Sequence, residues 1–258
     1  MIRGIWDRET VALALLASVF PIAATWLLAE GLEGVFRLVF FLLVAGIWHI
    51  LWMLARAQPP SFAGAITALC LAILAPEDLG LTALLVSTSF GVVIADLAFG
   101  GWGRNVLNPA TVALAFMGFG FPAAPWPDLA VQLGWAVAPA LLLGVALGVT
   151  AAPLVLGAGV VLVSAHLWGI DFSETGTALA VVLALLVCDP VASASTRPGR
   201  WLNGALYGGL GLLFTLHWQD AAPVQMAVSA ALLASLAAPL FDEIAISLWL
   251  LRRRKRHG

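Results

Sequence analysis

Charged side chains in this chain are confined to short gaps between long apolar runs, and that arrangement leaves few folds open. Of 258 residues, 62% are hydrophobic and 10% charged, whereas soluble domains carry about a quarter charged. Crossing the hydrocarbon of a bilayer takes roughly 20 helical residues. On that ruler the chain divides into ten apolar segments: 11–29, 35–56, 62–76, 79–99, 106–121, 129–149, 152–169, 175–188, 200–217 and 224–251. The third, fifth and eighth are short and suit tilted half-helices. The predicted fold class is an all-α polytopic membrane protein, one integral membrane domain over 1–258 with a basic tail at 252–258. No signal peptide with a small-residue cleavage pattern is evident at the N-terminus.

Ten spans put both ends of the chain on one side. That side then receives Arg3, Arg8, Arg56, Arg104, Arg197, Arg200 and the RRRKR run at 252–256, leaving only Arg37 of 12 basic residues on the other. The opposite gaps hold Glu30, Glu33, Glu77, Asp78, Asp128, Asp171, Glu174 and Asp220. The basic side is the cytoplasmic one, so the expected location is a bacterial inner membrane with both termini cytoplasmic. The RRRKR run reads as an anchor at the anionic leaflet, worth about 1 kcal/mol per basic residue, and nucleic acid is excluded as a partner.

Two polar, proline-broken segments interrupt the oily background: 99–110 (FGGWGRNVLNPA) and 188–200 (CDPVASASTRPGR). Each puts Asn or Asp directly before Pro. Unwound backbone at membrane depth is tolerated only where protein or a wet cavity pairs it, and paired breaks in two half-chains point to a binding site. The halves, about 1–121 and 129–251, carry faint self-similarity: ITALCLAILAP (66–76) against GTALAVVLALLVCDP (176–190), and FGGWG (99–103) against YGGLG (207–211). Five spans per half make the expected repeat inverted. The breaks are then expected to meet near a pseudo-two-fold axis.

Four stretches in order, SFGVVIADLAFGGWGRNVLNPA (89–110), SETGTALA (173–180), CDPVASASTRPGRWLNGALYGG (188–209) and APLFDEIAISLWLLRRRKRHG (238–258), resemble one family. Its members are the B subunit of the sodium-translocating NADH:quinone oxidoreductase (Nqr) and the D subunit of the Rnf complex. The resemblance implies ten helices in two inverted five-helix repeats, a urea-transporter-like architecture, other membrane subunits as partners, and flavin cofactors. It implies riboflavin near the NPA segment and FMN bound covalently to a threonine in a later loop. Here the chain departs from the pattern. After Phe121-Pro122 it runs through AAPWPDL (123–129) straight into the next helix, and the flavinylation motif is absent. DFSETGT (171–177) is the nearest look-alike and has Glu174 where the motif has Ser or Thr. Covalent FMN is therefore not expected, and riboflavin or FMN held non-covalently is. Asp96 also stands where the family leads one to expect a basic residue.

The resemblance puts Asn105 and Asn108 at the flavin site. One helical turn apart, their amides would face one cavity, with donors and acceptors suited to an isoalloxazine edge. Asn before Pro is equally a helix cap, so both readings stand for Asn105. Gly100, Gly101 and Gly103 would let backbone approach a flat ligand, or simply make a tight turn. A lipid-facing Asp189 would cost about 2.5–3.5 kcal/mol, so it belongs inside. With Ser193 and Thr196 it would hold a flavin's polar tail or line an ion path, or it would end a helix paired to Arg197 or Arg200. Residues 173–176 read as an N-cap with an early acid or as a polar lining. Cys70 and Cys188 are too few for an iron–sulfur cluster, and His49, His166, His217 and His257 lie at unmatched depths for haem. Most of the 11 tryptophans, Trp6, Trp126, Trp218 and Trp249 among them, read as interfacial anchors. No nucleophile–base pair, metal cluster or phosphate loop appears, so redox chemistry belongs to a cofactor.

The leading functional reading is an electron-relaying subunit of a membrane complex with a non-covalent flavin near the cytoplasmic side. The alternatives are a cofactor-free scaffold subunit and a small-solute or ion channel or transporter.

Overall fold

Two short helices buried on every side form the centre, and longer apolar helices surround them. The computed structural model describes residues 7–56, 61–218 and 220–257. In chain order the helices are α1 (Arg8–Arg56), α2 (Ala63–Leu74), α3 (Leu81–Phe90), α4 (Pro109–Gly120), α5 (Val131–Ala146), α6 (Ala152–Leu167), α7 (Gly176–Val182), α8 (Arg197–His217) and α9 (Pro223–His257). A π-helical segment, Gly91–Asp96, and a 3-10 turn, Leu97–Phe99, extend α3, and a second π-helical segment, Leu183–Val187, extends α7. Among the described residues there is no strand.

Helix occupies part of each range marked out by hydropathy. The first two ranges are joined in α1, whose axis breaks at Gly31 in a backbone conformation (φ 62°, ψ −133°) that side-chain-bearing residues avoid. Three helical stretches are long and apolar enough to cross a membrane: Arg8–Arg56, Leu81–Phe99 and Pro223–Leu251. The outward faces are apolar, with Leu28, Leu32, Phe36, Phe119, Trp135 and Leu167 all strongly exposed. A surface of that kind fits a lipid environment. Trp249 is on it, stacked under Arg253 at 5.3 Å. Trp6 lies outside the described residues.

Proline and small polar residues set the helix starts. Asn108 caps α4 with Pro109 following, and Thr196 caps α8 with Pro198 in its first turn; Pro fits there because those N–H groups have no helical partner. Among residues 173–176 the expected cap bond is missing. Thr175 precedes α7 without capping it; its Oγ1 meets Thr215 Oγ1 at 3.1 Å, and Ser173 is turned back to Asp171, donating through N (2.9 Å) and Oγ (3.0 Å). These bonds hold the exposed Asp171 carboxyl below the usual range.

α2 is too short to span a bilayer, and all but one of its residues are buried. The same holds for the second π-helical segment, buried throughout. The two touch where Cys70 Sγ donates to the Leu185 carbonyl (3.5 Å). Neighbours recur in the two halves: α2 lies against α1 and α4 as α7 lies against α5 and α9, while α1 meets α5 and α4 meets α9. In that pattern the counterpart of the turn after α7 is the turn after α2, at 75–80. The counterpart of the segment before α4 is the turn before α9. By that correspondence the two polar breaks would not be counterparts of each other.

Gaps expected on one side do meet. Arg8 packs over Gly103, and Glu9 Oε2 accepts from the Phe62 N–H (2.9 Å). At the other end, Arg37 donates to the Ala75 and Pro76 carbonyls that close α2, and Glu77 N–H donates to Pro125 O (3.1 Å).

α6 and α8 cross with backbones nearly touching. A Cβ on Gly204 would stand 2.0 Å from Leu154 O, and one on Gly157 2.5 Å from Trp201 O. Gly159, on the same helix as Gly157, faces open space. Gly204→Ala is expected to destabilise the protein by about 1–3 kcal/mol, since the helices must part. Gly159→Ala is expected to be neutral or mildly stabilising. Thermal unfolding in detergent compares them, and equal midpoints would refute the close crossing.

Candidate functional site

The two polar breaks come together through one buried hydrogen bond: Asn108 Nδ2 donates to Asp189 Oδ2 at 2.8 Å. Asn108 and Asp189 are 4% and 3% exposed. The Asn108 Oδ1 accepts from Ala110 N (2.9 Å) and Thr111 N (3.2 Å), closing the first turn of α4. The Asp189 Oδ1 accepts from Val191 N (2.9 Å), and Asp189 O accepts from Ser193 N (3.1 Å). Asn108 is thus a cap on one side and a clamp on the other. Arg197 and Arg200, the partners foreseen for Asp189, are not used: Arg200 Nε donates to Ala194 O (3.0 Å). An amide does the same work at that depth without bringing in a second ion.

Asn105 and Asn108 do not share a helical face, because α4 begins only at Pro109. Asn105 lies in the irregular loop, where its Oδ1 accepts from Gly103 N and its Nδ2 donates to Leu107 O, both at 3.0 Å. It is 4% exposed and holds the loop in shape. Gly100, Gly101 and Gly103 have φ of 103°, 90° and 92°, a run of left-handed backbone that only glycine adopts freely. The open sides of two of them are covered, Gly100 by the Arg104 side chain and Gly103 by Arg8.

Ser193 is half-buried in the turn after Asp189. Thr196 is engaged structurally. Its Oγ1 accepts from Gly199 N (3.1 Å) and donates to Asp242 Oδ1 (2.5 Å). Asp242 is a site residue that sequence reasoning missed. Its carboxylate also accepts from Thr196 N (2.8 Å), Ser195 N (2.8 Å) and Ser195 Oγ (2.7 Å). An acidic pair, Asp242-Glu243, in the midst of the apolar part of α9 is the available signal. Asp242 ties the 188–200 break to α9.

For a flavin, the fit rests on unused valences. Asn105 engages one of its two Nδ2 hydrogens and one of its two Oδ1 lone pairs, and Asn108 keeps one Nδ2 hydrogen. The donors and acceptors left suit a ring edge in kind. The covered glycines do not supply an open face for stacking. Among the described residues no three His, Cys, Asp or Glu side chains gather as a metal site. The connection from α4 to α5, residues 121–130, contains no threonine.

Asn108→Ala removes a cap worth about 1 kcal/mol and leaves Asp189 without its side-chain partner, a further cost of about 1–3 kcal/mol. Asp189→Asn keeps a hydrogen-bonding group and is expected to cost less. Unfolding in detergent checks the order, and Asn108→Ala matching wild type would disprove the clamp.

A family model described as NQR2, RnfD, RnfE family matches residues 5–133. Curated relatives extend over most of the chain. The B subunit of the Na(+)-translocating NADH-quinone reductase of Haemophilus influenzae (strain PittEE) is 26% identical, over 90% of this chain and 72% of that protein. The corresponding protein of Klebsiella pneumoniae (strain 342) is 27% identical over 92% and 73%. That of Pseudomonas aeruginosa (strain UCBPP-PA14) is 28% identical over 84% and 68%.

Proposed function

The chain belongs to the NQR2, RnfD, RnfE family, and from that premise we propose that it relays electrons as a flavin-holding membrane subunit of an ion-translocating redox complex. The observation that carries this is the match to the B subunits of Na(+)-translocating NADH-quinone reductases across nearly the whole chain. The membrane setting is supported by the apolar outer faces and three span-length helical stretches. The finer architecture we propose is ten spans in two inverted five-helix repeats, with α1 counted as two across Gly31. The recurring neighbours of α2 and α7, and of α4 and α9, support it. The charge segregation supports a bacterial inner membrane with both termini and the tail at 252–258 on the cytoplasmic side.

Within this reading, riboflavin or FMN binds non-covalently beside the 99–110 loop, its ring edge on Asn105 and Asn108. Gly100, Gly101 and Gly103 shape the loop, and Asp189, Ser193 and Thr196 form the adjoining wall. A bound flavin supplies the electron-transfer chemistry; the chain orients it and keeps its edge dry. A second reading, a cofactor-free scaffold, is favoured by one observation: both amides are already engaged, Asn105 within its own loop and Asn108 with Asp189 of the other break.

Flavin content decides between them. Protein purified in detergent is expected to carry a flavin that denaturation releases, or to take up added riboflavin or FMN. Asn105→Ala is expected to weaken retention about tenfold, the loss of roughly one hydrogen bond. Wild-type protein that contains no flavin and binds none leaves the scaffold. Solute flux into liposomes above the empty-liposome rate would instead support the channel reading.

A further inference from the structure

A buried ionisable pair, His49 and Asp96, lies between α1 and the first π-helical segment. Asp96 closes the first π-helical segment and is 1% exposed. Its Oδ2 stands 3.6 Å from His49 Nε2 on α1. Neither the Nε2 nor the Asp96 Oδ1 has any hydrogen-bond partner. Membrane helices exclude such groups unless they are paired or functional, and π-helical insertions concentrate at functional sites.

The imidazole is fixed in place. A Cβ on Gly64, at the start of α2, would fall 2.8 Å from His49 Cδ2 and 2.9 Å from Nε2. On the carboxylate side, Val92, Leu97 and Ala45 form a small apolar cluster backed by Trp48 and Trp52. The charged groups within electrostatic reach are few. Arg8 and Asp189 act on Asp96, and Arg8 and Glu9 act on His49. Helices α2, α3 and α4, which pack around the site, carry no charged residue. Arg8 and Glu9 are about one-third exposed and lie 3.7 Å apart, so they mark the side from which water reaches the pair.

We propose that His49 and Asp96 form a proton-binding site, filled from the aqueous face that Arg8 and Glu9 occupy. At 3.6 Å the Nε2 of a neutral ring is just beyond hydrogen-bond distance of the Asp96 carboxylate, and it has no other partner. One proton taken up from water by the ring gives an imidazolium–carboxylate contact, and its release to water restores the neutral ring. A metal ion is a poorer occupant, since one imidazole and one carboxylate supply too few ligands and no third acidic, thiol or imidazole group joins them among the described residues. The site is independent of the flavin reading.

Ring-nitrogen NMR of 15N-histidine protein in detergent tests it, with His49→Gln assigning the signal and His166 and His217 reporting an intact fold. The His49 signal is expected to titrate, and Asp96→Asn to lower its proton affinity at least about tenfold, one pH unit. Asp96→Ser removes the same charge and is read identically should the Asn variant not fold. A His49 signal that does not titrate while the protein stays folded, or a midpoint unmoved by loss of Asp96, overturns the proposal.

Discussion

The two polar breaks of this fold are joined by the hydrogen bond from Asn108 to Asp189. Lipid offers no partner for a free N–H or carbonyl, so the polar stretches at 99–110 and 188–200 need partners from the protein itself. Asn108 serves both with one side chain, capping α4 through its oxygen and holding Asp189 through its nitrogen. Around that contact the pattern is carried outward. Asn105 ties the first loop to itself, and Asp242 ties the second to α9.

The short central helices explain why such a clamp is needed. α2 and the α7 extension meet at Cys70 and Leu185 in the middle of the protein, and neither reaches across a bilayer alone. Their ends are chain that has left the helix while still surrounded by protein. Arg37 covers the end of α2 by donating to its last carbonyls, as Asn108 covers the end reached through Asp189. Close glycine crossings, such as Gly204 against Leu154, let the outer helices pack tightly against one another.

Hydropathy located the helices, because a bilayer imposes one length scale on any apolar run. Pro109 marked the start of α4, because proline fits where no helical N–H is needed. The partner of Asp189 was not legible: a carboxylate calls for a cation on charge alone, and only the packing of α4 on the break supplies an amide instead. Asn105 and Asn108 were read on one helical face since spacing cannot tell where a helix begins inside a glycine-rich loop. Asp242 was missed for a related reason. Its four hydrogen bonds come from residues 195 and 196, far away in sequence.

Both buried aspartates follow a stretch of π-helix, Asp96 as its last residue and Asp189 two residues beyond. The Leu97 N–H reaches back five residues to Val92 as well as four to Val93, and the Cys188 N–H reaches back five, to Leu183. Each segment is equivalent to an ordinary helix that has gained a single residue. Removing that residue would turn whatever follows by about 100° around the axis. The orientation of each carboxylate toward protein rather than lipid is therefore a matter of counting. It is encoded in how many residues precede the acid, and a one-codon deletion upstream would displace it as surely as a substitution.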